Sequence, residues 1–160
     1  MKKYSFIAIA ILLAAACNTD NVLSDDEQLK KDTAAIDKYL AKNGIVPTVI
    51  DSTGMRLVIS SAGSGAYPVG TSKLTVIYTA KLLSTGAVVD KSTSPPKQFD
   101  SKLDELIIGW RLAFRYYIAK GGKATLYIPS GLCYGKAGQG STIPPNSNLI
   151  FDVELVSFSN

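Results

Sequence analysis

In two segments near the end of the chain, every second residue is apolar. They cover residues 124–128 and 149–155. A period of two residues predicts β-strands with one face on a hydrophobic core. The residues predicted to face that core are Ala124, Leu126, Ile128, Leu149, Phe151, Val153 and Leu155.

The segment between these strands is rich in Gly, Ser, Pro and Asn, and it carries Tyr134 and Ile143. Pro144 and Pro145 fix backbone angles and cannot donate to a sheet. We therefore expect a loop of defined shape at a sheet edge. A rigid loop that presents a Tyr and an Ile beside a strand with an aromatic residue predicts the wall of an apolar cavity.

A first helix is predicted before these strands. Ser24 and Glu27 form a capping-box pattern, and Asn43-Gly44 is a typical helix end. The apolar stripe between them is narrow and consists of Leu29, Thr33, Ile36 and Leu40. The helix is expected to pack lightly on the domain, or on a second copy as a homodimer through residues 24–43.

A second, short helix follows Glu105 and ends at Gly121-Gly122, with Trp110, Phe114, Tyr117 and Ile118 on one face. Further strands are predicted over residues 55–60, 73–83 and 87–90. Residues 45–54 indicate a linker, and residues 91–99 a second loop that contains prolines. Strands gathered around one helix predict an α+β domain.

The N-terminus has the pattern of a secretory signal. Lys2 and Lys3 precede an apolar run over residues 6–16 that is too short to span a bilayer comfortably. Cys17 follows three alanines, which resembles a bacterial lipoprotein signal over residues 1–16 with Cys17 as the lipidated residue. We therefore expect attachment to a membrane through an N-terminal lipid. The expected location is the cell envelope, as an outer-membrane lipoprotein that faces the periplasm or the cell surface. The alternative is an ordinary signal cut near Ala16.

Composition argues against several kinds of chemistry. The chain has no His and two Cys, which removes Ser-His-Asp catalysis and most zinc sites, so we expect neither a metal nor a cofactor. Its formal charge is +4, or +2 once Lys2 and Lys3 are removed (4 − 2), too little and too scattered to indicate nucleic-acid binding. Cys133 is expected to be a small buried apolar side chain.

Several segments together resemble the FKBP-type peptidyl-prolyl cis-trans isomerases. They are VIYTAKL, ELIIGW, GGKATLYIPSGLCYG and IPPNSNLIFDVEL. The resemblance implies an isomerase domain over residues 54–160, preceded by a spacer, helix and linker over residues 17–53. It also implies the fold, a curved antiparallel β-sheet wrapped around one short α-helix, here with an N-terminal helical extension.

The resemblance also implies the site, whose floor is Trp110. It assigns catalytic roles to Tyr78, Asp90, Ile107, Trp110, Tyr134 and Phe151, and substrate-binding roles to Val89, Leu106 and Ile143. Tyr134 and the backbone N–H of Ile107 are the implied donors to bound carbonyls. The sequence departs from the family pattern at Val89 and Lys97, where aromatic residues are usual. Taken singly, Trp110 also fits a core residue and Asp90 a turn cap.

The implied activity is isomerisation of Xaa–Pro bonds in unfolded or folding polypeptides. Rotation about a peptide bond faces a barrier of about 18–20 kcal/mol, and a pocket that binds the twisted amide lowers it without acid, base or metal. Two alternatives stay open. One is a weakly catalytic or non-catalytic module that binds proline peptides. The other is a structural envelope lipoprotein.

Overall fold

The structure is a computed structural model that describes residues 23–50 and 52–160. Side chains are described for these residues except 49–50 and 93–100. The predicted signal peptide, Cys17 and the adjoining spacer up to residue 22 lie outside the described residues.

The described residues form two α-helices and six β-strands. In chain order these are α1 (Asp25–Lys42), β1 (Val49–Ile50), β2 (Arg56–Ser61), β3 (Lys73–Leu82), β4 (Val88–Lys102), α2 (Ile108–Tyr116), β5 (Lys123–Ile128) and β6 (Leu149–Ser159). The strands make one antiparallel sheet in the order β1-β2-β5-β6-β3-β4. The predicted α+β class, with a sheet around one short helix and an N-terminal helical extension, is confirmed.

The sheet has a helix on each face. On the face that we call inner, α2 packs on the large apolar core, and every core residue predicted from the alternation of β5 and β6 is buried there. On the outer face, α1 packs on a smaller cluster formed by Ile36, Leu40, Leu83, Tyr127 and Ile150. Strands β5 and β6 lie at the centre of the sheet, so their side chains support both helices.

Helix α1 begins and ends where the sequence predicts. Ser24 Oγ accepts a hydrogen bond from Glu27 N at 3.2 Å, and Glu27 Oε2 accepts one from Ser24 N at 3.0 Å. The buried face differs from the predicted stripe, because Leu29 is 36% exposed whereas Gln28 and Asp32 are buried. Hydrogen bonds to the domain, which a hydrophobic pattern does not report, set the rotation of the helix.

Three element boundaries correct the sequence prediction. Helix α2 ends at Tyr116 with Tyr117 as its C-cap, so Gly121-Gly122 lies beyond the helix. The predicted linker contains the short strand β1, which pairs with β2 through Val49 and Leu57. The loop between β5 and β6 joins central strands, so it lies at the end of the sheet and not at an edge.

The segment predicted as a second proline loop is part of β4. Its pairing with β3 jumps from Val76–Lys97 to Tyr78–Ser92, so two steps along β3 face five along β4. The Pro95-Pro96 pair falls within this jump. Because β4 is the last strand of the described sheet, prolines there break no ladder on a second side. The segment therefore bulges while the strand continues.

Candidate functional site

The centre of the candidate site is Trp110, near the start of α2. Its ring makes edge-to-face contacts with Tyr78 (centroids 5.3 Å apart), Phe114 (5.4 Å) and Phe151 (5.5 Å). Edge-to-face geometry is the arrangement that aromatic quadrupoles prefer. Strand β3, strand β6 and helix α2 thus each contribute a ring that fixes the orientation of Trp110.

The start of α2 lies close to the sheet because residue 109 is a glycine. A Cβ at Gly109 would lie 2.6 Å from Cγ2 of Ile128 on β5, closer than real contacts allow. Ile107 is the N-cap, and its carbonyl accepts hydrogen bonds from Trp110 N (3.0 Å) and Arg111 N (3.2 Å). This close approach brings the Trp110 ring against the central strands.

Tyr78 and Asp90 form a hydrogen-bonded pair between neighbouring strands. The Tyr78 hydroxyl donates to Asp90 Oδ2 at 2.5 Å, although the tyrosine is buried and the aspartate is exposed. Burial, followed by the hydrogen bond and the charge of Asp90, raises the pKa of Tyr78 well above its ordinary value. The pair therefore places a carboxylate beside the aromatic group and keeps the phenol protonated.

The loop over residues 129–148 brings Tyr134 and Ile143 to the same cluster. Gln139 and Ile143 exchange two backbone hydrogen bonds, of 2.8 and 3.1 Å, which close the tip of the loop. Ile143 is buried, and Tyr134 is half-buried against the core. Burial raises the pKa of Tyr134, with smaller contributions from Cys133 and Asp90, so its hydroxyl remains a donor at neutral pH.

Eight of the nine residues predicted for the site lie in or against the same core cluster, and Asp90 lies beside it. The buried ones are Tyr78, Trp110, Ile143 and Phe151, and Val89, Leu106, Ile107 and Tyr134 pack against the same core as partly buried residues. Asp90 joins the group through its hydrogen bond to Tyr78. The role of each residue toward a substrate stays a prediction.

Two features of the site are absent from the sequence prediction. Phe114 is fully buried and forms the third ring around Trp110, a role that their shared helix face could have indicated. The loop is also held by Asp32 of α1, whose carboxylate accepts hydrogen bonds from Ser130 N and Oγ. The only sequence signal for this contact is the spacing of Gln28 and Asp32 on one side of the helix.

The described part of the chain contains neither a membrane-spanning helix nor a cluster of metal-binding residues. Neither helix there has the length and apolar character that crossing a bilayer requires. Across residues 23–50 and 52–160, no group of three or more His, Cys, Asp or Glu could hold a metal ion. The thiol of Cys133 is free and packs against the core as a half-buried residue, less covered than the sequence predicts, and burial raises its pKa.

Comparison with known families assigns this chain to one of them. A family model described as FKBP-type peptidyl-prolyl cis-trans isomerase matches residues 65–156. The chain therefore belongs to this family of proteins.

Individual relatives agree with this assignment. The chain is 37% identical over 130 residues to a probable FKBP-type peptidyl-prolyl cis-trans isomerase of Haemophilus influenzae, covering 81% of this chain and 52% of that protein. The crystal structure of FkpA from Escherichia coli matches with a TM-score of 0.69 and 35% identity, covering 84% of this chain and 62% of that one. A peptidyl-prolyl cis-trans isomerase structure from Pseudomonas syringae pv. tomato matches with a TM-score of 0.68 and 29% identity, covering 86% of this chain and 98% of that one. The chain spans about half the length of the curated relatives it matches.

Proposed function

We propose that this protein is a peptidyl-prolyl cis-trans isomerase that acts on unfolded or folding polypeptides. The observation that carries the proposal is the cluster of Tyr78, Phe114 and Phe151 around Trp110, with the Tyr78–Asp90 hydrogen bond at its side, in a chain of this family.

The site residues suit a reaction that needs no covalent step. The rings of Trp110, Tyr78 and Phe151 would receive the proline and exclude water from the amide. An apolar surrounding disfavours the charge-separated planar amide relative to the twisted one, while Tyr134 and the N–H of Ile107 would donate to carbonyls of the substrate. About 4 kcal/mol of preference for the twisted state corresponds to a thousandfold acceleration.

A peptide assay tests this proposal. The full-length protein in detergent is mixed with tetrapeptides that contain proline and differ in the preceding residue, and cis-to-trans conversion is followed at 10 °C, where the uncatalysed reaction takes minutes. We expect catalysis that is proportional to protein concentration. A rate equal to that of buffer for every peptide would contradict the proposal.

A second candidate is a module that binds proline peptides with little or no catalysis. Val89, which is only half-buried against the core, is the observation in its favour, because the family pattern has an aromatic residue there. Val89→Phe separates the candidates. Higher activity in that variant would show that the departure limits catalysis, whereas peptide binding without turnover in both forms would favour the binding module.

We also propose that Cys17 is lipidated and anchors the protein at the cell envelope, as an outer-membrane lipoprotein facing the periplasm or the cell surface. The support is sequence alone: the lysines, the apolar run and the three alanines before Cys17. A multiply acylated Cys anchors stably, because each buried CH₂ contributes about 0.8 kcal/mol.

Cys17→Ser should abolish lipid labelling, and Cys133→Ser is the matched control. Unchanged labelling of the Cys17 variant would remove this proposal.

The structural-lipoprotein alternative, with a homodimer through residues 24–43, has less support. The apolar residues Ile36 and Leu40 of α1 are already buried against the sheet of the same chain. Dimerisation stays a prediction that solution mass can test, by light scattering with wild type and a variant charged on the exposed side of α1, such as Ala34→Glu.

A further inference from the structure

We propose that Asp32 of α1 is a positioning residue for the loop over residues 129–148, so that the N-terminal helix is a functional part of the site. The helix touches none of the aromatic rings around Trp110, and it acts through the loop that carries Tyr134 and Ile143. This inference rests on the isomerase function proposed above, and its structural half can be tested without it.

The Asp32 carboxylate is buried and accepts three hydrogen bonds. Its Oδ2 accepts from Ser130 N at 2.9 Å and from Ser130 Oγ at 2.6 Å, and its Oδ1 accepts from Gln28 Nε2 at 2.7 Å. Asp32 is 3% exposed and Ser130 is fully buried. A buried carboxylate is costly unless donors replace its water, and here each oxygen has a protein donor.

The same group holds the other end of the loop. Asn148, directly before β6, accepts from Ser130 N through its Oδ1 at 3.0 Å and donates from its Nδ2 to the Asp32 carbonyl at 3.2 Å. The first and last turns of the loop are thus joined to one residue of α1. Pairing of Ile128 with Leu149 sets the separation of the two loop ends, and Asp32 sets their position relative to the helix.

Apolar packing does not hold this side of the loop closely. A groove of about 580 Å³ lies between the start of α1 and the loop, bordered by Leu29, Pro129 and Leu132 among others. The Asp25–Lys136 ion pair across it, at 2.9 Å, is exposed and therefore weak. On the side of the loop that faces α1, the buried hydrogen bonds of Asp32 oppose movement into this space.

The position of Ser130 is transmitted to Tyr134 over a few bonds. Ser130 begins a 3-10 turn, and its carbonyl accepts a hydrogen bond from Cys133 N at 2.9 Å. Tyr134 directly follows Cys133 in the chain. The carbonyl of Gly135 then accepts from Asn146 N at 2.8 Å, which joins the two sides of the loop again. A shift at Ser130 therefore moves the Tyr134 hydroxyl relative to Asp90 and Trp110.

Three variants of the full-length protein test the proposal. Asp32→Ala removes the acceptor, whereas Asp32→Asn keeps one oxygen for Ser130, and Gln28 can turn its amide to face the new NH₂. Asp37→Ala is the control, because Asp37 lies on the same helix and pairs with the nearly buried Arg56 at 3.0 Å without touching the loop. Amide hydrogen exchange and kcat/KM on proline peptides are measured at 10 °C, and exchange in the central strands shows whether each variant is folded.

We expect Asp32→Ala to accelerate amide exchange in the loop about tenfold relative to the rest of the chain. We also expect it to lower kcat/KM by about five- to tenfold, because misplacement of a catalytic group by about 1 Å can lower the rate up to about a hundredfold. Asp32→Asn and Asp37→Ala should keep the loop and kcat/KM near wild type. Loop exchange in Asp32→Ala equal to that in Asp37→Ala would overturn the structural role. A loosened loop with unchanged kcat/KM would overturn the functional role. An inactive wild type would instead refute the proposed function, and exchange would then decide the role of Asp32.

Discussion

The two faces of the sheet are built in different ways. Among the described side chains, the inner face, against α2, has 19 buried residues in one continuous apolar cluster. The outer face, against α1, has five, supplemented by the buried hydrogen bonds of Asp32 and by the Arg56–Asp37 ion pair. Apolar burial is non-directional and scales with area, whereas hydrogen bonds depend on geometry.

The inner face contributes mainly to the stability of the domain, and the outer face mainly to the orientation of α1 and of the loop over residues 129–148. The inner cluster supplies most of the apolar burial, and part of it is the aromatic group of the candidate site. The outer contacts bury less apolar area, yet they determine how α1 is rotated and where the loop of Tyr134 begins. Truncation of the inner apolar cluster should therefore lower mainly stability, whereas loss of the Asp32 hydrogen bonds should change mainly the arrangement of the site.

The largest effect is expected from truncating Phe114. Removal of this fully buried ring should lower the free energy of unfolding by about 3–5 kcal/mol and shift the fluorescence of Trp110, the only tryptophan. Ile36→Ala, on the outer face, should cost nearer 2 kcal/mol, because its smaller cluster can relax. Urea unfolding measures both. If both variants lost the same free energy of unfolding, or showed the same shift in Trp110 fluorescence, the difference between the two faces would be contradicted.

A smaller effect is expected where α2 meets β5. Gly109→Ala places a methyl group against the Ile128 side chain, so we expect a loss of about 1–3 kcal/mol and a displaced Trp110. Gly131→Ala is the matched control, since a Cβ there meets nothing within 4 Å. Thermal unfolding followed by tryptophan fluorescence measures both variants. A control as unstable as Gly109→Ala would show that close packing is not the cause.

Removal of one hydroxyl should change activity more than stability. Tyr134→Phe keeps the ring and deletes a donor worth at most about 0.5–1.5 kcal/mol, so Tm should change little while kcat/KM falls several-fold. Asp90→Ala should also lower kcat/KM. Tyr39→Phe, on the outer face beside Tyr127, is the control and should keep full activity. Full activity in both site variants would remove Tyr134 and Asp90 from the proposed site.

The smallest effect concerns alkaline pH and compares a tyrosine from each face. Burial raises the pKa of both Tyr78 and Tyr127 above their ordinary value of 10.0, so folding favours their neutral forms. The stability that they contribute is complete below about pH 10 and is lost above it, as the phenols of the unfolded chain ionise. Between pH 8 and pH 11, the free energy of unfolding in urea should fall less for Tyr78→Phe and for Tyr127→Phe than for the wild type. If the free energy of unfolding of a variant fell as steeply with pH as that of the wild type, the raised pKa of that tyrosine would be contradicted.

Much of the fold could be predicted because its local patterns are strong. The capping box gave the start of α1, and the alternation in β5 and β6 gave the residues that face the core. The predictions failed where non-local pairing decides the structure. A stretch with two prolines became a bulged part of the edge strand β4, and a linker residue, Val49, pairs with β2. Propensity is a weak prior that strand partners override.

The sequence by itself determined the family, the position of Trp110 on a short helix, and the apolar periodicity of the strands, because each depends on residues that are close together in the chain. Only the tertiary structure decided that Asp32 joins Ser130 and Asn148 and that α1 buries Asp32 while Leu29 stays partly exposed. Ser130 lies 98 residues from Asp32, and Asn148 lies 116 residues away. Hydrogen bonds between such distant groups leave no periodic trace in the sequence, since their geometry exists only after the sheet has formed.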